Sequence, residues 1–168
     1  YINSFAKDKQ GFIWVATNKG LNRFDGYEFL NYDARPSNPH KIRQNKIFSI
    51  NMDRTGNLFL IYDFLNSGVM DILNPLTGKS ESLLFGTSDE FQGKFSRVKQ
   101  RADGTICFLT QKPSKNLVFR LEGNSRSFRK TFEFSPGSDN LKDFLPASDG
   151  TFWVAEEPNQ TNTLQVLQ

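Results

Sequence analysis

Residues 8–17 read Asp-Lys-Gln-Gly-Phe-Ile-Trp-Val-Ala-Thr, and this polar turn followed by an apolar run decides the fold because it returns along the chain. Counted from Gly11, the returns place Gly56, Gly104 and Gly150 at spacings of 45, 48 and 46 residues. Apolar residues also stand six positions before each glycine, at Phe5, Ile50, Val98 and Phe144. A period of this length indicates a repeat architecture in which each repeat is one supersecondary unit.

The turns predict that each repeat begins as an antiparallel hairpin. Asp103-Gly104 and Asp149-Gly150 are signals for tight hairpin turns, because Gly and Asp tolerate the positive φ that such turns require. Residues 8–11 and 53–56 are predicted to form the same turn with two residues added. We expect the aspartates at these turns to accept hydrogen bonds from turn amides rather than to bind metal.

The strand after each glycine carries apolar residues at consecutive positions. Ile13, Trp14 and Val15 are an example, whereas a strand with one wet face alternates. Both faces of this strand are therefore predicted to be covered. Room remains in the first repeat for two more short strands, around residues 21–24 and 28–32. Small antiparallel sheets that repeat in this way are typical of propeller blades, whereas a β-sandwich, the competing all-β interpretation, gives no reason for the period.

We predict an all-β chain that forms a partial β-propeller of four-stranded antiparallel blades, with about 3.7 repeats of 45–48 residues. The blades are placed at approximately 1–32, 46–84, 95–134 and 141–168, and the last lacks its outer strand. Because propellers usually have four to eight blades, the chain is expected to be a fragment of a larger one. Its exposed blade faces are expected to self-associate, as in a homodimer, or to pack on the remaining blades of a parent chain.

The composition excludes several classes of protein. The chain has one cysteine, Cys107, and one histidine, His40. These numbers exclude a disulfide within the chain and a Cys-rich or multi-histidine metal site, and they leave Cys107 with His40 as the single possible Cys/His nucleophilic pair. A net charge of +3 is too small to indicate nucleic-acid binding, and no apolar run approaches the roughly 18 residues of a membrane span. We find no phosphate-binding glycine loop and no nucleophile elbow, so no catalytic residue, metal or cofactor is predicted.

The stretch from Asp8 to Phe29, DKQGFIWVATNKGLNRFDGYEF, resembles the two-component regulator propeller repeat, whose pattern is D-x-x-G-x-[IL]-W-[IV]-x-T-x-x-G-[LI]-x-[RK]-[YF]-[DN]-G. Residues 32–50 are similar to the connection between blades in that family. The resemblance implies the periplasmic sensor region of a membrane-anchored hybrid regulator, with a histidine kinase, a response receiver and often a DNA-binding module. None of those parts can be located in these residues. It also implies oligosaccharide ligands and signalling through the packing of dimeric sensors.

On this basis we predict a non-enzymatic sensing segment that recognises an oligosaccharide and passes the signal to a kinase module outside these residues. Neither nucleic-acid binding nor membrane insertion is expected of the segment itself. Two alternatives stay open: a propeller enzyme acting on polysaccharide, such as a lyase or glycosidase, and a protein-interaction scaffold. The enzyme requires two acid/base groups that converge at the mouth of the propeller axis.

The candidate ligand site lies at that mouth, where the loops between blades and the loops between second and third strands gather. The connector between the first two repeats contributes Asp33, Arg35, His40, Arg43 and Asn45. The internal loop of the second repeat contributes Tyr62, Asp63, Phe64 and Asn66. Amides, guanidinium groups and an exposed ring supply the oriented hydrogen bonds and stacking that bind a neutral or acidic sugar.

Three side chains near the repeat motif are assigned structural roles. Trp14 and Trp153 stand at the same position of their repeats, between apolar neighbours, and are predicted to be wedges between blades. Cys107 takes that position in the third repeat, so we expect a buried, inert thiol.

Overall fold

The structure is a computed structural model. It describes residues 1–62, 69–84, 94–111, 116–122, 127–134, 141–156 and 163–167. Every regular element among these residues is a β-strand, and the strands form four antiparallel sheets. The prediction of an all-β partial propeller is therefore confirmed.

The strands pair with their neighbours along the chain, so each sheet is a simple meander. The first sheet contains β1 (Ile2–Lys7), β2 (Ile13–Thr17), β3 (Gly20–Phe24) and β4 (Phe29–Tyr32). The second contains β5 (Ile47–Met52), β6 (Leu58–Tyr62), β7 (Val69–Leu73) and β8 (Ser80–Leu84). The third contains β9 (Lys94–Gln100), β10 (Ile106–Gln111), β11 (Asn116–Glu122) and β12 (Ser127–Phe134). The fourth contains β13 (Leu141–Pro146), β14 (Phe152–Glu156) and β15 (Thr163–Leu167).

The chain divides into two compact units. Unit 1 is Tyr1–Gly86, with the first and second sheets, and unit 2 is Thr87–Gln168, with the third and fourth. That the whole chain forms a single domain stays a prediction.

The four hairpin turns between first and second strands have one geometry, which corrects the prediction of two turn lengths. In each, the residue three positions before the glycine donates its amide to the carbonyl of the residue after the glycine: Asp8 to Phe12, Asp53 to Asn57, Arg101 to Thr105 and Ala147 to Thr151. The glycines all have φ between 92° and 96°. The glycine therefore sets the turn, because few other residues accept that φ without strain, and the aspartate position varies.

The aspartates accept turn amides, as predicted, but from two different places. The Oδ1 atoms of Asp8 and Asp53, three residues before the glycine, accept amide hydrogens across the turn. The carboxylates of Asp103 and Asp149, directly before the glycine, accept the amides of Thr105 and Thr151 at 2.9 Å. The Thr105 amide lowers the pKa of Asp103. At Asp149 the hydroxyl of Thr151, which donates to Oδ1 at 2.7 Å, lowers the pKa most, and the Thr151 amide adds to the effect.

The second strands show which sheet faces are covered. Every residue of β6 is buried, and so are residues 106–110 of β10. In β2 only Trp14 and Ala16 are fully buried, whereas in β14 the buried residues are Phe152 and Val154. The expectation of two covered faces thus holds for the second and third sheets. In the first and fourth sheets one face of the second strand is buried. The buried residues of β14 are shifted by one repeat position from those of β2, so the two sheets bury opposite faces of this strand.

Each unit has an apolar core between its two sheets. In unit 1, Trp14, Ala16 and Leu21 of the first sheet belong to one cluster with Ile50 and Leu58 of the second. In unit 2, the third sheet contributes Cys107, Leu109 and Val118, and the fourth contributes Phe144 and Phe152. The same repeat positions meet in both units. The earlier sheet contributes the residues three and five positions after its glycine, and the later sheet contributes those six before and two after its own glycine. The predicted wedge role is confirmed for Trp14, which is fully buried, but Trp153 is 40% exposed.

Candidate functional site

The connector between β4 and β5 is anchored to the β2–β3 turn of the same sheet. The amide of Gly20 donates to the carbonyl of Asn45 at 2.8 Å, and Asn45 Oδ1 accepts the amide of Ala34 at 2.7 Å. Gly20 has a φ of +120°, and a Cβ there would lie 2.4 Å from the carbonyl oxygen of Tyr32. This close approach is available only to glycine, so the turn motif and the connector depend on each other.

The start of the connector is held by an ion pair between Asp33 and Arg35. Asp33 Oδ2 accepts hydrogen bonds from Nε of Arg35 at 2.9 Å and from Nη2 at 2.6 Å, and Oδ1 accepts the Arg35 amide. These bonds favour the ionised carboxyl, so they lower the pKa of Asp33 to about 2. Asp33 is buried, whereas the side chain of Arg35 is 71% exposed. The pair thus fixes one guanidinium at the surface.

The middle of the connector folds back onto the first sheet. Its amides are satisfied locally, with His40 donating to Asn38 Oδ1 at 2.8 Å and Ile42 donating to the carbonyl of Asp33 at 3.0 Å. The imidazole of His40 packs on the ring of Tyr32 with centroids 4.9 Å apart, and Ile42 is buried in the unit 1 core. His40 is therefore a packed, half-buried side chain rather than the centre of an open loop.

A buried polar network joins the connector to the second sheet. Asp71, which is 1% exposed, accepts the hydroxyl of Tyr62 at 2.5 Å and the hydroxyl of Ser82 at 2.7 Å. Asp71 Oδ2 also accepts the amide of Arg43 at 3.2 Å, and Nε of Arg43 donates to Ser82 Oγ at 3.1 Å. Burial and the neighbouring carboxylate raise the pKa of Tyr62 above its ordinary value, so its phenol stays protonated.

The structure brings six of the nine predicted residues to one end of the first two sheets, but with altered roles. Arg35, Arg43 and Asn45 are exposed, while Asp33 and Tyr62 are buried and engaged in hydrogen bonds. The expected exposed ring is therefore not Tyr62, whose hydroxyl lies 2.5 Å from Asp71. The remaining three predicted residues, Asp63, Phe64 and Asn66, lie outside the described residues.

Sequence reasoning missed Asp71 and Ser82, which hold the connector in place. A signal for Asp71 was present, because it is the single charged residue in the apolar run Val69-Met70-Asp71-Ile72-Leu73. A carboxylate at such a position is buried with partners, since an unpaired buried charge is very costly. Ser82 carries no comparable signal.

The exposed chemistry of this end of unit 1 is cationic and amide-rich. Arg35, Lys41, Arg43 and Asn45 are exposed, and Arg43 is exposed by 40% of its side chain. The carboxylates beneath them, on Asp33 and Asp71, are buried and already accept several hydrogen bonds. Fixed guanidinium groups recognise carboxylate, sulfate or phosphate oxygens with two parallel hydrogen bonds. The arrangement therefore suits an anionic ligand better than proton transfer by a carboxyl group.

Two further sequence predictions concern the chemistry of single groups. Cys107 is 2% exposed, which confirms its predicted burial, and that burial raises the pKa of its thiol to about 11, so the thiol stays protonated at neutral pH. Across the ranges that the structure describes, no group of three or more His, Cys, Asp or Glu residues is arranged to hold a metal ion. Those ranges also contain no helix long and apolar enough to cross a membrane.

Comparison with known protein structures establishes the fold class, which is that of the β-propellers. The family of the two component regulator propeller matches residues 1–19, which confirms the resemblance of the first repeat. The extracellular domain of the hybrid two component system BT3049 from B. thetaiotaomicron is 16% identical to this chain, with a TM-score of 0.60. The aligned region covers 100% of this chain and 28% of the BT3049 domain. The corresponding domain of BT4673 is also 16% identical, with a TM-score of 0.66 and coverages of 99% and 24%.

Propellers of other functions are similar as well. A catalytically inactive virginiamycin B lyase from Staphylococcus aureus, crystallised with quinupristin, is 11% identical with a TM-score of 0.67, and covers 99% of this chain and 55% of the lyase. The chain spans about a quarter of the length of the two sensor domains. No curated protein sequence matches significantly.

Proposed function

We propose that this chain is a non-enzymatic, periplasmic ligand-sensing segment of a hybrid two-component regulator, and that it recognises an acidic oligosaccharide at the connector of unit 1. The proposal is supported by the resemblance of the first repeat to the regulator propeller and by the likeness to extracellular domains of such systems. The signal would pass to a kinase module outside these residues.

The observation that carries the proposal is the pair of guanidinium groups held at the connector by buried carboxylates. Asp33 fixes Arg35, and Ser82 with Asp71 fixes Arg43. A preorganised surface cation loses less side-chain entropy on binding than a mobile one, so these arginines are suited to recognition. Asn45 adds an exposed amide, which suits the hydroxyl groups of a sugar.

The acidic class of sugar follows from the charges. The four exposed side chains named above include three cations and no anion, since the neighbouring carboxylates are buried beneath them. A neutral sugar would leave these cations without an added partner, whereas a uronic acid or a sulfate ester would be bound with charge-assisted hydrogen bonds.

Calorimetry with uronic acid oligosaccharides and with neutral oligosaccharides of equal length tests the proposal. We expect binding of the acidic series, weakened by salt because the contacts are exposed charges. Arg35→Ala and Arg43→Ala should each weaken it at least about tenfold. Arg54→Ala, an exposed arginine in the β5–β6 turn at the other end of the same sheet, is the matched control and should leave affinity unchanged. Silent titrations with both series would overturn the proposal, and so would an equal loss in the control.

An enzyme acting on polysaccharide is the alternative, and the lyase likeness concerns the fold alone. Such an enzyme needs two accessible acid/base groups. At the described connector, Asp33 and Asp71 are buried and already engaged by donors. That engagement supports recognition over catalysis at this place.

A further inference from the structure

We propose that the ligand site continues from the connector onto the β2–β3 turn, where Asn18 and Lys19 bind further acidic sugars of the same oligosaccharide. These two residues are called the turn subsite, and Arg35, Arg43 and Asn45 are called the connector subsite. The inference rests on the proposed function and deepens it, because a second subsite makes the segment prefer longer acidic ligands. Neither residue of the turn subsite was a candidate from the sequence.

The turn subsite lies directly beside the connector subsite. The amide of Gly20 donates to the carbonyl of Asn45 at 2.8 Å, and Lys19 precedes Gly20 in the chain. Asn45 follows Arg43 by two residues, so their Cα atoms are at most about 7 Å apart. One oligosaccharide that is bound at Arg43 therefore reaches Lys19 as it lengthens along the connector.

The backbone of the turn is fixed by the side chain of Thr17. Its Oγ1 donates to the carbonyl of Gly20 at 2.8 Å and accepts the amide of Lys19 at 3.0 Å. A turn that is held by its own hydrogen bonds and by the bond to Asn45 loses little freedom when a ligand binds. The turn is therefore a preorganised platform for the side chains of Asn18 and Lys19.

A β-bulge in β1 orients the amide of Asn18. Ile2 pairs with Thr17 and Ser4 pairs with Ala16, so Asn3 is the extra residue between them. Nδ2 of Asn3 donates to Oδ1 of Asn18 at 2.8 Å and to the carbonyl of Ile47 at 2.7 Å. Because Oδ1 of Asn18 accepts this bond, the Asn18 amide is held in one orientation with its Nδ2 group as the donor.

The bulge is a feature of the repeat. In the other three sheets the register of the first strand shifts at the same position, eight residues before the glycine, at Phe48, Ser96 and Lys142. Bulges re-aim side chains and are frequent next to functional sites. In the first sheet the bulge places an amide against the β2–β3 turn, and this links the bulge to the turn subsite.

The charge of the turn subsite matches that of the connector subsite. Asn18, Lys19, Asn45 and Lys46 are all exposed, and residues 17–20 and 43–47 contain no Asp or Glu. A lysine ammonium binds carboxylate or sulfate oxygens, and an amide donates to them or to sugar hydroxyl groups. The same class of acidic sugar is therefore suited to both subsites.

Calorimetry with uronic acid oligosaccharides, from the disaccharide to the hexasaccharide, tests the inference. We expect affinity to rise at least about tenfold over this range, because longer chains reach both subsites. Asn18→Asp is the sharpest variant, since its Oδ1 still accepts the Asn3 hydrogen bond while the donor is lost and the new charge repels acidic sugars. Asn18→Asp and Lys19→Ala should each remove the gain with length, with disaccharide affinity and melting temperature almost unchanged.

Lys7→Ala alters an exposed lysine at the other end of β1 and is the matched control, which should keep the whole gain with length. Lys19→Glu replaces Asn18→Asp if the latter changes the circular dichroism spectrum. Equal affinity at every length, variants that keep the gain, or a control that loses it would each overturn the turn subsite and leave the connector proposal standing.

Failure of the proposed function has a different result. Arg35→Ala and Arg43→Ala without effect at any length would overturn the connector subsite, and with it the continuity of the two. Absence of binding by every oligosaccharide would overturn the proposed function and the turn subsite together.

Discussion

The indole nitrogen of Trp14 donates a hydrogen bond to Oδ2 of Asp8 at 2.8 Å, and this bond joins the hairpin turn of the first repeat to the core of unit 1. The other carboxylate oxygen of Asp8 accepts the turn amides of Gln10 and Phe12. The guanidinium of Arg23 lies over the rings of Phe12 and Trp14, at 4.6 and 5.9 Å from their centroids. This contact gives a physical reason for the six-residue spacing of Asp8 and Trp14 within the stretch DKQGFIW.

Trp14→Ala should destabilise the chain far more than Trp153→Ala, although both residues hold the same repeat position. Trp14 is fully buried, and its removal leaves a cavity and an unpaired carboxylate oxygen, so we expect a loss of about 3–5 kcal/mol in the free energy of unfolding. Trp153 is 40% exposed, and its loss should stay below about 2 kcal/mol. Urea denaturation at a low chain concentration measures both, and equal losses would contradict the assignment.

Tyr62→Phe should destabilise unit 1 by about 1.5–3 kcal/mol, because it removes a donor from a buried carboxylate. Tyr27→Phe, at a side chain that is 94% exposed, is the matched control and should change stability by less than about 0.5 kcal/mol. Thermal denaturation compares the two variants. A Tyr62→Phe chain as stable as the control would show that Asp71 does not need this hydroxyl.

The Asp33–Arg35 pair should make stability depend on acid. The pKa of Asp33 falls from 3.8 to about 2 on folding, so the unfolded chain binds the proton first. The contribution of the pair is therefore complete above about pH 4 and is lost as the pH falls towards 2. Asp33→Asn and Arg35→Ala should each reduce the change in melting temperature between about pH 4 and pH 2. Variant profiles parallel to that of the parent would contradict the assignment.

Gly20→Ala should cost more stability than Gly26→Ala, although both glycines have a positive φ. At Gly26, with φ of +105° and open space around it, the cost is the backbone strain of about 1–3 kcal/mol. At Gly20 the added Cβ also meets the carbonyl of Tyr32, so the connector must move. Hydrogen exchange of the Gly20 amide, which is bonded to Asn45, should rise only in the Gly20 variant. Equal losses of stability in the two variants would show that backbone strain alone, and not the contact with the Tyr32 carbonyl, causes the loss.

Much of the fold could be predicted from the sequence because the signals are local. A glycine at positive φ and the apolar run after it recur at a fixed spacing, and both act through neighbours in the chain. The prediction of two turn lengths is wrong because Asp103 and Asp149 lie directly before the glycine, whereas the aspartates of the first two repeats lie three residues before it in the same kind of turn. The exposure of Trp153 was also missed, because burial of a sheet face depends on what packs against it.

The candidate site was predicted only in part. The connector was located because its polar residues follow a predicted outer strand. The roles of its side chains depend on Asp71 and Ser82, which are 28 and 39 residues from Arg43 along the chain. Hydrogen bonds over such separations have no local signature, and the bond of Tyr62 to Asp71 likewise depends on how β6 pairs with β7.

The sequence by itself determined the repeat, the strand order within each sheet and the all-β class, because each hairpin forms between neighbouring segments whose turn residues and apolar pattern suffice to specify it. The tertiary structure alone decided which carboxylates are buried, which arginines are fixed at the surface, and which sheet faces are left uncovered at Phe5 and Trp153. Those features depend on packing between sheets, where the free energy is set by surfaces that are distant in the sequence.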